Sequence, residues 1–216
     1  MSGKRTAGML LALLLLTGFL ALHTDLLWGD TAPQPATDTT QVYIELDSMR
    51  TVRAHLIREG ALRLPPIPPE AIDNETLWLA RVIYSETKRP EEMELVAWVV
   101  RNRVETRYRG KTTYREVVLD PFQFSAFIPY NPRRHYYMRL TPYSNAPGWQ
   151  QALSIAYYVR FADSTHRPFS IRTRHFFSEQ SMTGRLIPIW AEGVHPIRPT
   201  RYQIDERRFR FYEDIS

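Results

Sequence analysis

The chain has 216 residues, 44% hydrophobic and 24% charged, with 12% aromatics, 9 glycines and 16 prolines, which suits one packed domain with appendages and excludes two large domains, wholesale disorder and collagen-like structure. Cysteine is absent, which removes thiolate nucleophiles, disulfide frameworks and Cys-ligated metals. The net charge of +5 belongs to the body, because Lys4 and Arg5 balance Asp25 and Asp30 in the first thirty residues, and a basic body favours an anionic partner such as nucleic acid, a lipid surface or a cell wall polymer.

Residues 1–30 read as a signal peptide or membrane anchor. Lys4 and Arg5 precede an apolar run from Ala7 to Leu22, broken only by Gly8, Thr17 and Gly18. That is the charge-then-apolar order of an export signal. The run falls slightly short of the ~18 to 20 residues that cross a hydrocarbon core, though Leu26, Leu27 and Trp28 can extend it, so cleavage and retention both stay open. Export across the cytoplasmic membrane, to a periplasmic or membrane-anchored location, argues against nucleic acid as the partner. The cluster Arg133, Arg134, His135, Tyr136, Tyr137 accordingly reads as a solvated loop, flanked by the turn residues Pro129, Asn131, Pro132 and Pro142.

Residues 31–69 comprise a Pro- and Thr-rich spacer (Thr31 to Thr40), an amphipathic helix from Tyr43 to Glu59, and the extended Leu64-Pro65-Pro66-Ile67-Pro68-Pro69 linker. The main domain is expected over 70–216. Asp73 or Asn74 caps a first helix whose stripe is Leu79, Val82 and Ile83, ending near Thr87. Pro90 opens a second, with Glu91 and Glu92 complementing its amino-terminal dipole, which continues to Tyr108 before Gly110. Thr113 and Glu116 form a capping box for a short third helix through Leu119, stopped by Asp120-Pro121. Pro147 to Phe161 gives a fourth. Aromatic alternation in His175-Phe176-Phe177 and Arg208 to Tyr212 suggests two short strands, so the domain is α+β, mainly helical with a small antiparallel sheet near the carboxy terminus.

Signatures of serine hydrolases, P-loops, dinucleotide-binding folds and zincins are missing, and the six histidines show no close ligand spacing; neither a metal nor a cofactor is expected. What remains is a carboxylate. Glu86 follows Ile83, Val82 and Leu79 by three, four and seven residues, so it continues the apolar stripe. Burial and the negative end of a helix dipole both raise a carboxyl pKa, as a general acid requires. On spacing alone an ordinary surface or capped glutamate at a helix end is the better reading, and only a resemblance to a known family reverses it.

Four blocks in order, Leu79-Ala80-Arg81-Val82-Ile83-Tyr84-Ser85-Glu86, Val96 to Val104, Glu116-Val117-Val118 and Gln123-Phe124-Ser125, resemble the SleB-type cell wall hydrolase family, which includes spore-cortex-lytic and lytic-transglycosylase-like enzymes. The likeness extends more weakly to Tyr212 and departs from the family pattern at Thr87 to Glu91 and around Arg207-Arg208. It implies a lysozyme-like fold that cleaves peptidoglycan glycan strands as a lytic transglycosylase or muramidase, with Glu86 as the acid and base. Gln123 and Ser125 would line the glycan cleft with Phe124 packed below, and Tyr84, His175 and Trp190 are further candidate substrate contacts. Asn102, polar within an apolar run, either bonds the first helix or faces the cleft. The alternative is a non-catalytic peptidoglycan-binding or envelope scaffold protein on the same fold.

Overall fold

Asp73 starts the first helix in the way its sequence suggests: its carboxylate accepts from the Thr76 amide at 2.8 Å, and α1 runs Asn74–Glu86 behind that cap. The structure is a computed structural model that describes residue 64, residues 66–182 and residues 187–215, all in one unit of the chain, Leu46–Ser216. The apolar segment from Ala7 to Leu22, the spacer and the Tyr43 to Glu59 helix lie outside the described residues. Ile67 is already buried against the core, so the packed domain begins slightly before Glu70.

Leu79, Val82 and Ile83 of α1 are fully buried, as are Leu95, Val96, Trp98, Val99 and Val100 of α2 (Pro90–Glu105). Each such side chain contributes about 1.5 to 3 kcal/mol over its exposed state. The second helix is shorter than expected. Arg107 and Arg109 take left-handed backbone angles, φ 50° and 54°, which end helical hydrogen bonding before Tyr108, and Gly110 at φ 75° completes the reversal. The capping box forms around α3 (Tyr114–Val118), with the Thr113 hydroxyl accepting from the Glu116 amide at 3.1 Å and Glu116 accepting from the Thr113 amide at 3.1 Å.

The basic-aromatic cluster is not a loop. Arg134–Arg139 forms α4, because Tyr137 supplies a buried anchor whose ring lies 6.3 Å from that of Tyr84 and 6.2 Å from that of Phe127, leaving the charged residues to face solvent. α5 (Trp149–Phe161) starts after left-handed Gly148 and buries Trp149 completely, its indole N–H donating to the Thr141 carbonyl at 2.7 Å. α1 packs against α5, α2 and α3, and α2 carries the sheet on its other side.

That sheet pairs β1 (Thr173–Phe177) antiparallel with β2 (Arg210–Glu213), Phe176 opposite Phe211 and Phe177 opposite Arg210, with a bulge between Thr173 and His175. The domain is thus mainly helical α+β with a small antiparallel sheet near the carboxy terminus. β2 starts two residues later than the aromatic pattern suggests, since Arg208 and Phe209 turn back on the Asp205 carbonyl at 2.8 and 3.2 Å. The side chains of α2 bind β1 and its approach: Asn102 Nδ2 donates to the Ser170 and Thr173 carbonyls at 3.1 and 2.8 Å, and Arg103 Nε to the Arg174 carbonyl at 2.7 Å. Among the described residues, no helix is long and apolar enough to cross a membrane.

Candidate active site

The register of α1 decides where its last residue goes. The helix buries its stripe through Ile83, and Glu86 one turn further on leaves that core at the point where the chain breaks into the extended Thr87. There it lines a cleft of about 390 Å³ together with Arg103, Gln123, Ser125, Phe176 and Arg208. A second cavity of about 440 Å³, lined by His175 and Trp190 among others, shares Arg103, Phe122, Gln123, Phe176 and Phe177 with the first. The two adjoin as one groove between the end of α1, the loop after α3 and the sheet.

Glu86 is half-buried and accepts no hydrogen bond from the described residues. Burial pushes its carboxyl up to about 7, against the opposing pull of the Arg103 and Lys88 cations. Lys88 is held away over the Tyr84 ring, 3.5 Å from its centroid, and bonds the Tyr84 carbonyl at the helix end. A carboxyl that titrates near neutrality and faces an open groove can give up a proton and take one back.

The expected cleft residues separate into two groups. Gln123 and Ser125 stand on the groove wall beside Glu86, and the buried Phe124 packs beneath them, 6.4 Å from the Phe176 ring. His175 and Trp190 stand in the second cavity with their rings 5.2 Å apart. His175 Nε2 lies 2.9 Å from the Tyr108 hydroxyl, and burial, then Arg103 and Arg174, pull its pKa down to about 4, so it stays neutral at physiological pH. Its role there is to bond and pack, not to supply protons.

Tyr84 and Asn102 do not line the groove. Two residues before Glu86, Tyr84 projects from the opposite side of α1, where its hydroxyl donates to the Pro147 carbonyl at 2.9 Å and its ring meets Trp149 edge-on at 5.4 Å. Burial, then its bond with Tyr136, pushes the phenol up to about 12. Asn102 has no exposed surface, and both donors of its amide go to the chain leading into β1. It bonds the sheet, not the first helix, and holds the groove's far wall in place.

Among the groove residues that sequence reading missed, three stand out. Arg103 is buried in the apolar face of α2, and Phe122 is 87% exposed at φ 63°. Arg208 reaches the cleft because Glu92, 116 positions away, accepts two bonds from it at 2.6 and 3.0 Å. Glu92 also accepts from the Thr87 hydroxyl at 2.5 Å, so the residue after Glu86 is tied to the groove's carboxy-terminal wall. Burial raises the pKa of Glu92, but the bonds from Arg208 and Thr87 outweigh it and hold the carboxyl below its ordinary value. The only local signal was a charged residue, Arg103, inside an apolar run. Among the described residues, no three His, Asp or Glu side chains gather closely enough to hold a metal ion. Compared with descriptions of protein families, with curated proteins and with solved structures, the chain matches none.

Proposed function

We propose that the protein cleaves the glycan strands of peptidoglycan, with Glu86 as both general acid and general base, on the outer side of the cytoplasmic membrane to which its apolar amino-terminal segment delivers or anchors it. One observation carries the reading: a single carboxyl, poised at about 7 and free of hydrogen bonds from the described residues, opens onto a groove bordered by amide, hydroxyl and aromatic groups. Those are the groups that bind sugars.

In the first step Glu86 donates its proton to the glycosidic oxygen as the C1–O bond breaks and positive charge develops at the muramic C1 and ring oxygen. The leaving sugar departs with that proton as a hydroxyl. The positive charges of Arg103 and, held further away, Lys88 favour the ionised Glu86 carboxylate at this moment. In the second step the carboxylate takes the proton of the muramic 6-hydroxyl as that oxygen bonds to C1, closing a 1,6-anhydro ring and restoring the acid. A water in place of the 6-hydroxyl gives a free reducing end by the same proton transfers.

The groove as lined by the described residues contains one carboxylate where paired-acid glycosidases use two, which favours the intramolecular route. A binding or scaffold protein would need no carboxyl raised to neutrality, but would use the same walls. Mass spectrometry of the material released from purified sacculi tests the proposal. Muropeptides with anhydro or newly reducing muramyl ends are expected; sacculi left intact by folded protein would leave the non-catalytic reading in its place.

A further inference from the structure

Two of the three arginines on the groove wall are taken up by carboxylates. Arg208 holds Glu92 through its paired bonds, and Arg109 Nε lies 2.7 Å from Asp120. Arg103 is the third. It is 4% exposed, reaches both cavities, and forms no ion pair with the described residues. Its one bond runs from Nε to the Arg174 carbonyl, and its Nη1 has no partner among the described residues. A buried guanidinium without a carboxylate in direct contact is costly to keep, and Asp120, whose charge also acts on Arg103, is itself paired with Arg109 and Lys111. The rings of Tyr108 and Phe124, 5.5 and 5.3 Å from its Cζ, offset part of that cost through their π faces. Burial pulls its pKa down to about 10, which still leaves it charged at neutral pH.

Glu86 does not supply the missing charge below neutrality, because in that range it is protonated. Arg103 therefore places a buried cation in the wall shared by both cavities, a charge that a carboxylate entering the groove would complement. Beside it stand Trp190, 36% exposed, and Phe122, whose left-handed backbone holds an aromatic ring out in solvent. Ring faces of this kind stack on the apolar face of a sugar.

We propose that Arg103 is the centre of a carboxylate-binding subsite, which takes an acidic group of the glycan chain beside the bond to be cleaved. The inference rests on the reading of the groove as a peptidoglycan-cleaving site. Two sources offer the same chemistry: the lactyl carboxylate of a muramic acid stripped of its peptide, and a carboxylate of the stem peptide.

The test is a binding titration of the full chain, read from the Trp190 indole and Gln123 side-chain signals by NMR. Three probes are used: N-acetylmuramic acid, its lactyl methyl ester, and muramoyl dipeptide, whose lactyl group is an amide and whose carboxylate sits on the peptide. Loss of one charge-assisted pair weakens binding about ten- to a hundredfold. The acid should bind tighter than the ester by at least the lower of these factors, and Arg103→Gln should abolish the difference. Tight dipeptide binding with no preference for the acid over the ester would assign the subsite to the stem. Equal binding of all three probes, or of none, overturns the proposal. Should Arg103→Gln fail to fold by circular dichroism, the acid-to-ester ratio of the wild type decides alone. Acid-selective binding without any lysis of sacculi would sink the cleavage reading and leave the subsite; lysis without acid selectivity would do the reverse.

Discussion

Replacing Glu86 with glutamine should stabilise the domain above neutral pH and leave it almost unchanged in acid. The native carboxyl titrates at about 7 and an unfolded one near 4.5. Below 4.5 both states hold the proton and the group does not distinguish them. Between the two values the native state keeps a proton that the unfolded chain has released, so stability falls as pH rises. Above 7 the decline is complete, at up to about 3 kcal/mol. Glutamine does not titrate and has nearly the same shape, so the variant lacks this decline. Any cost of leaving its amide unbonded in the groove is the same at every pH. For a domain of this size ~1 kcal/mol moves the melting temperature by ~2 to 4 °C, so the variant should gain several degrees over the wild type between pH 4.5 and 8. Thermal melts followed by circular dichroism across that range check it. A difference between variant and wild type that does not change with pH would refute the claim that burial governs Glu86.

Gln123→Ala should slow glycan turnover by about threefold to tenfold with no change in melting temperature, since the side chain lends the groove one hydrogen bond worth ~0.5 to 1.5 kcal/mol and makes none with the described residues; unchanged turnover of sacculi would take Gln123 out of the substrate contacts. Glu92→Gln should cost ~1 to 3 kcal/mol, because Glu92 is buried and accepts from both Arg208 and Thr87. The expectation that Glu92 serves only the helix dipole would predict a few tenths, and urea unfolding separates the two. Since its carboxyl is held below the ordinary value, the wild type should lose that advantage as pH falls through the Glu92 pKa, and the variant should not.

The helices were legible because each carries its own signals within a few residues. Asp73 caps α1, Pro90 opens α2, and Thr113 with Glu116 brackets α3. Where the ends were misplaced, the cause was backbone that no residue type announces, as with left-handed Arg107. α4 escaped notice because its stability comes from a tertiary contact, Tyr137 against Tyr84 and Phe127, while its own residues look like a loop. The position of Glu86 followed from periodicity, since three and four residues along a helix keep one face. The same arithmetic turns Tyr84 away from the groove. Arg208 could not be found from spacing at all: its partner lies 116 positions earlier, and only the folded chain brings the two together.

Lysis of purified sacculi by wild-type and Glu86→Gln protein, measured as loss of turbidity with circular dichroism alongside, tests the central claim most directly. An amide keeps the size of the side chain but can neither deliver nor retrieve a proton. The wild type should clear the suspension, more slowly as pH rises past about 7, while the folded variant should bind the sacculi and leave their turbidity unchanged. A folded Glu86→Gln protein that clears sacculi at the wild-type rate would contradict both the residue and the mechanism.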